Sequence, residues 1–500
     1  MLFPFSRLFS SLCWCIVAIL TVSVIILGYK SLPWPLWLDA PIYNYIAWLI
    51  TKGAVPYRDI FDNNLPGTYL VHLFVIKCFG EGDIAWRIFD LTCLAIIDVF
   101  TIAYCRRFGL LAACMAATVF SAFHLYGGSL LPGTRDYIML VFVIVGIYFF
   151  SKYNNKPSNV FYFLLTGFFL GIAFTIKPFI AILCILFFCL QIALYFRTKI
   201  RWMQHGVLML CSFCVPMGIL LLWLWAKGGL KAYFDILFHY LIPIYPTIHL
   251  SPLHSVLWTY FLGVPFCFLL TAIFVFGLID IIIQKKLDLH RVVLLFGICY
   301  GVIHYVCQQK GLYYHIYPAL FFSFLMAASW LEYLRKKSFS TVRIFLICII
   351  VYISCGLTYF SVKNIFKKPV QYFEKTASNE WLIGELSGRV PPGETVQVME
   401  VLGNGILTLL RLHITQPTRF LHDAYFYFKA EHPYVKKLRK IFINELRKSP
   451  PIFIVLGKSS WPISGYERIK QFPELNEWLH SNYILHRKSA LYLLYKRKSG

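Results

Sequence analysis

Gly67-Thr68-Tyr69-Leu70-Val71-His72-Leu73-Phe74-Val75-Ile76-Lys77-Cys78-Phe79 is the stretch on which the fold turns. It is apolar but only roughly 13 residues long, whereas crossing the ~30 Å hydrocarbon core of a bilayer takes about 20. Read as a span, it reverses every later loop. Read as a helix lying along the interface, it leaves all the basic loops on one side: Arg106-Arg107, Ser151 to Ser158, Arg197 to His205, Gln284 to Arg291 and Arg335 to Arg343. Loops on the cytoplasmic side carry the excess of Lys and Arg, so the interfacial reading is expected. Ile42 to Ile50 is a second interfacial candidate.

The composition agrees with such a chain. Of its 500 residues, 59% are hydrophobic and 14% charged, more apolar surface than a soluble domain can hide. Long apolar runs predict about eleven spanning helices at 12–29, 85–105, 109–126, 135–151, 159–176, 178–196, 206–226, 256–283, 291–308, 314–334 and 342–361. The first run follows a short basic start, but bulky Ser31-Leu32-Pro33-Trp34 after it offers no small-residue cleavage site, so it reads as a retained helix. The net charge of +24 sits mostly in clusters between spans and reports topology; no nucleic-acid partner is expected. The 15 cysteines lie almost all within apolar runs, without zinc-binding spacing, and read as small buried hydrophobes.

Past Phe360 the pattern changes. Strand-like pieces (Thr395 to Val401, Pro451 to Leu456, Ala490 to Tyr495) alternate with helix-like ones (Val370 to Leu386, Tyr434 to Lys448, Glu467 to Ser481). The fold expected is thus an all-α polytopic membrane domain at 1–361, with a first outer loop at 30–84 bearing interfacial helices, and a small α/β extracytoplasmic domain at 362–500. The N-terminus is placed inside. Leu402-Gly403-Asn404-Gly405 is too short for a nucleotide-binding motif.

On the outward side polar groups gather where they are expensive to keep, which makes them candidates for function. Asp39 precedes Ala40-Pro41; it suits either a base or metal ligand, or a cap on the helix that starts there. Asp136 beside Arg135 opens the fourth span and suits the same chemistry, or else a helix cap or an Arg–Asp pair. Asp59 and Asp62 flank Ile60-Phe61, and Asp62-Asn63-Asn64 is also a turn signal. Arg58, Lys177 and Lys310 are cations at the outer edge: a lipid phosphate is one partner for them, snorkelling to headgroups the plainer alternative. His315 lies near enough to Lys310 to assist, and Tyr314 belongs to a series of outward tyrosines that suits a sugar site or an interfacial belt equally. No Ser-His-Asp set, HExxH or phosphate loop is visible.

In order along the chain, these features resemble the polytopic lipid-linked glycosyltransferases of the GT-C fold, including protein O-mannosyltransferases and aminoarabinose transferases of lipid A. The residues that carry the likeness are Asp39, Tyr43, Tyr45 and Ala47 with Gly53 to Asp59; Asn64-Leu65-Pro66-Gly67 with Trp86-Arg87; Asp136; and Ile176-Lys177-Pro178 with Lys310 to His315. The resemblance covers residues 30–330. It implies a hexosyl- or pentosyltransferase, inverting, in a bacterial inner membrane, that moves sugar from a polyprenyl-phosphate carrier to a lipid, glycan or protein acceptor outside. Asp39 and Asp136 are then the catalytic acids, with a divalent metal on them as an open option. Arg58, Asp59, Asp62, Asn64, Lys177, Lys310, Tyr314 and His315 are then the substrate- and phosphate-binding set. One departure stands out: relatives often have Lys-Pro where this chain has Asn64-Leu65-Pro66, so one expected cation is missing. A lipid flippase or transporter is the alternative, but it predicts ionisable groups and broken helices at mid-membrane. A non-catalytic scaffold would leave the crowded first loop unexplained.

Overall fold

The structure, a computed structural model, describes residues 3–155, 159–198, 202–248, 288–336, 370–401 and 404–498, with positions 252, 253, 275, 352, 356, 359 and 363. Its helices are α1 (Phe3–Lys30), α2 (Ala40–Thr51), α3 (Pro66–Phe79), α4 (Asp83–Cys105), α5 (Leu110–Tyr126), α6 (Arg135–Asn155), α7 (Val160–Ile176), α8 (Ile180–Thr198), α9 (Trp202–Ala226), α10 (Leu230–Ile236), α11 (Leu289–Gln308), α12 (Tyr317–Lys336), α13 (Val370–Leu386), α14 (Gly405–Leu412), α15 (Pro433–Lys448) and α16 (Pro473–Asn482). Nine of them coincide with expected spans; the spans expected at 256–283 and 342–361 lie, but for positions 275, 352, 356 and 359, outside the described residues. Among the described residues, five helical stretches are long and apolar enough to cross a membrane: Ser10–Lys30, Asp83–Phe108, Arg135–Tyr153, Gln204–Ala226 and Leu289–Gln308. The chain is a multi-pass membrane protein.

The decisive stretch is helical, as α3, and too short to span. Pro66 starts it where its missing N–H costs nothing, and Gly80, at φ 95°, ends it in a conformation side chains resist.

The chain folds as two compact units. The first comprises residues 1–34, 87–219 and 251–367. Within it, α11 and α12 pack unusually closely. A Cβ on Gly301 would lie 2.2 Å from the Ala319 backbone nitrogen, and one on Gly297 would lie 2.2 Å from the Phe322 ring. Small residues four apart let membrane helices approach to backbone contact. Here they bring the end of α11 against the start of α12, the two segments that later supply His304 and His315.

The second unit comprises residues 35–86, 220–250 and 368–500. Its four-stranded sheet has the order β1-β2-β4-β3, with β1 (Val396–Met399) parallel to β2 (Phe453–Gly457) and antiparallel pairing elsewhere among β2, β4 (Tyr492–Arg497) and β3 (Tyr483–Lys488). β1 and β2 are buried along their length, as parallel strands covered on both faces must be. The fully buried Arg468 pins their ends: it donates to the carbonyls of Met399 and Gly457 and pairs with Asp423 at 2.7 Å. The helix expected over Glu467 to Ser481 is two pieces, broken before Pro473, whose ring excludes a continuous helix. β3 was not expected: its side chains after Tyr483 are exposed, so it lacks a buried face to read. The 35–86 segment folds against the tail. The Tyr45 hydroxyl donates to the Ile414 carbonyl at 2.9 Å, Arg411 pairs with Asp83 at 2.5 Å, and the Phe61 amide donates to the Arg419 carbonyl at 2.8 Å.

A candidate functional site around Asp136

Asp136 stands in the first turn of α6 and is wholly buried. It is not a simple cap. Its Oδ2 lies 3.1 Å from Lys177 Nζ and 3.2 Å from His315 Nδ1, and its Oδ1 lies 2.5 Å from His304 Nε2. Three connections deliver these partners. Lys177 and Pro178 form the tight turn between α7 and α8, where Pro178 cannot continue the helix. His304 faces inward from the last turns of α11. His315 sits in the single 3-10 turn Tyr313–Ile316 that feeds α12. Gln308 joins two of them: its side-chain oxygen accepts from Lys177 Nζ at 3.3 Å and its amide donates to the His304 carbonyl at 3.0 Å.

A buried carboxylate is stable only when paired and hydrogen-bonded, and Lys177 supplies the compensating charge. A carboxylate can only accept, so His315 Nδ1 donates to Asp136. Tyr314 packs its ring edge against His315 at 4.5 Å. Lys310, in the same unit, is 6% exposed, and burial brings its ammonium down to about 8. Both lysines are therefore built into the fold rather than extended to headgroups.

The remaining sequence candidates lie in the other unit. Asp39 occupies the N-terminal end of α2 without a side-chain cap bond, and the Tyr43 hydroxyl reaches its Oδ2 at 3.4 Å. Arg58 and Asp59 form an exposed bidentate pair, at 2.9 and 2.8 Å, and Arg58 also donates to the Lys227 carbonyl at 3.0 Å. The hydrogen bond from Arg58 holds the Asp59 carboxyl below its usual range. Asp62 is buried, not a solvated turn residue. Its Oδ1 accepts from the Tyr69 hydroxyl at 2.8 Å and from the backbone and side-chain amides of Asn64 at 2.7 and 2.6 Å. Asn64 thus serves to hold Asp62.

Of the expected set, the structure brings together Asp136, Lys177 and His315, with Tyr314 alongside. His304 and Gln308 complete the cluster and were not singled out from sequence. A histidine inside an apolar span is costly and was itself a usable signal. By donor type, Asp136, His304 and His315 fit a divalent ion: one carboxylate and two imidazoles, their ligand atoms within 4.8 Å of one another. Asp39, the other expected ligand, belongs to the other unit.

Residues 65–224 match the family described as Dolichyl-phosphate-mannose-protein mannosyltransferase. No curated protein matches the sequence. Among solved structures, ArnT from Cupriavidus metallidurans bound to undecaprenyl phosphate is similar, with TM-score 0.63 and 13% identity over 96% of this chain and 97% of that one. The same protein in its apo state gives 0.58 and 11% over the same shares. The fold is therefore the GT-C fold that the residues between 30 and 330 resemble.

Proposed function

We propose that this chain is a glycosyltransferase that takes a sugar from a polyprenyl-phosphate carrier and passes it to a lipid, glycan or protein acceptor at the outer face of a bacterial inner membrane. In this reading the N-terminus lies inside, residues 362–500 lie in the periplasm, and α2 and α3 rest at the outer interface. The observation that carries it is the buried Asp136–Lys177–His315 cluster: a carboxylate that holds an ammonium and accepts from an imidazole, in a fold shared with a protein crystallised on undecaprenyl phosphate.

The chemistry follows from the residues. Transfer breaks the bond between the anomeric carbon and the phosphate oxygen, and negative charge grows on the leaving phosphate. Lys177 neutralises that charge, held ready by Asp136 so that little reorganisation is needed. Lys310 adds a second positive charge. Asp39 accepts the proton of the attacking hydroxyl. Asp136, His304 and His315 would hold a divalent ion by donor type, and such an ion would supply Lewis-acid charge.

The test is consumption of radiolabelled polyprenyl-phosphate sugars by membranes carrying the wild type or Asp39→Asn, with an acceptor extract present. Consumption by the wild type alone is expected. No consumption of any donor by the wild type would sink the transferase reading, and equal consumption by both proteins would remove Asp39 from the chemistry.

Lys310 sets a pH dependence. Its charge is complete well below pH 8 and is lost as pH rises through about 8, so carrier-phosphate affinity is expected to weaken on the alkaline side. One proton coupled to binding gives about a tenfold loss between pH 7 and pH 9. Lys310→Arg, permanently charged, should flatten that slope in a titration with undecaprenyl phosphate. An unchanged slope would show that Lys310 does not face the phosphate.

A further inference from the structure

A second buried polar network lies in the first unit, centred on Asp90 of α4. Asp90 Oδ2 takes Arg87 Nη1 at 2.5 Å and His124 Nε2 at 3.0 Å. Its Oδ1 takes the Gly133 amide at 3.4 Å, and its backbone carbonyl takes the Tyr137 hydroxyl at 2.9 Å. His124, on α5, passes the connection on: its Nδ1 lies 2.8 Å from the Tyr317 hydroxyl, and its ring stacks on Tyr137 at 3.9 Å. Arg87 is held in turn by Ser31 Oγ at 2.8 Å and by the Trp34 ring, 4.8 Å from its Cζ. Asp90, Arg87 and His124 are each no more than 2% exposed.

What this network touches is informative. Gly133 and Tyr137 bracket Asp136, three residues before it and one after. Tyr317 follows His315 by two. One carboxylate and one imidazole therefore hold both backbone segments whose side chains meet at the Asp136–His315 contact of 3.2 Å. Stability alone is a weak reason to keep such groups in apolar helices, because well-packed hydrophobic residues do as well or better than a buried ion pair. Fixing a geometry is a sufficient reason, since a misplacement of about 1 Å at a reacting centre costs about 10²-fold in rate.

We propose that Asp90 and His124 are positioning residues, which set the spacing of Asp136 and His315 by tethering Gly133 and Tyr137 on one side and Tyr317 on the other. The proposal rests on the transferase reading of the Asp136 cluster. Neither residue touches substrate in this scheme. They act through the two segments they hold, while Lys177 is delivered separately by the turn between α7 and α8.

The test uses the full-length protein in detergent or membranes. Tyr317→Phe and Tyr137→Phe each remove one hydroxyl and leave the ring in place; Asp90→Asn removes the central charge. Tyr317→Phe is expected to lower kcat about tenfold, and Asp90→Asn about 10²-fold, with the KM for the carrier-linked donor changing less than about threefold. Hydrogen exchange should quicken at 131–138 and 313–318, with protection elsewhere as in the wild type. His124→Asn combined with Tyr317→Phe should be no worse than His124→Asn alone, because both cut the same link. Unchanged kcat in folded Tyr317→Phe and Asp90→Asn would overturn the proposal, as would equal changes in kcat and KM, or exchange that quickens throughout. If the wild type transfers no sugar from any donor, the transferase reading falls by itself and the exchange arm decides: quickening confined to the two segments upholds the tether, and its absence removes it.

Discussion

Asp136→Asn is expected to lower sugar transfer by about 10²- to 10³-fold, the scale on which removal of a preorganised electrostatic contact acts. The substitution keeps the shape and removes the charge. One Asp136 oxygen accepts from His304 and the other from Lys177 and His315. An amide has one oxygen and one NH2, so its nitrogen must face a donor wherever it turns, either the imidazole of His304 or the ammonium of Lys177 together with His315. Lys177, 3% exposed, loses its carboxylate and remains buried with its charge. Such a break costs about 3–5 kcal/mol, so folding will suffer along with function. The double variant Asp136→Asn with Lys177→Met separates the two effects. With both charges gone, thermal stability should return toward the wild type while transfer stays lost. Near-normal transfer by folded Asp136→Asn would exclude this carboxylate from the reaction. Recovery of transfer in the double variant would exclude the pair.

How much of this was legible beforehand depended on whether the deciding contacts are local. The helices at nine of the expected spans were, because each rests on its own apolar run. So were β1 and β2, both buried along their length, β2 through the continuous apolar run Phe453–Leu456. β3 was not: Tyr483-Ile-Leu-His-Arg-Lys488 is an edge strand with its side chains largely exposed, and edge strands carry charge for reasons unrelated to a buried pattern. In the site, Asp136, Lys177 and His315 stood out as polar residues at the margins of apolar runs. Attention to acids within spans passed over His304 and His124, whose rings carry hydrogen bonds no local pattern announces. Asp62 shows the limit most clearly. A turn signal was read correctly as sequence, but burial of that carboxylate involves Tyr425, 363 residues away, which only the fold brings near.

Lys177→Met should weaken binding of undecaprenyl phosphate by about 10- to 100-fold, measured by displacement of a radiolabelled carrier. A hydrogen bond to a charged group contributes about 1.5–3 kcal/mol, and this one forms in a site shielded from water, where Coulomb attraction is stronger than at a surface. Methionine matches the length and apolar body of the lysine, so packing between α7 and α8 is kept; because Asp136 is left without its cation, binding is compared in folded protein and against the Asp136→Asn, Lys177→Met double variant. The comparison with Lys177→Arg sharpens the inference. A guanidinium is a planar fork suited to two parallel contacts, whereas Lys177 meets Asp136 with a single point charge at 3.1 Å. Arginine should therefore keep the charge yet lose the register with Asp136, giving carrier affinity closer to the wild type than to Lys177→Met but transfer well below it. If Lys177→Met binds the carrier as the wild type does, the ammonium serves only to neutralise Asp136, and the phosphate-binding role passes to Lys310, where the pH slope of binding tests it independently.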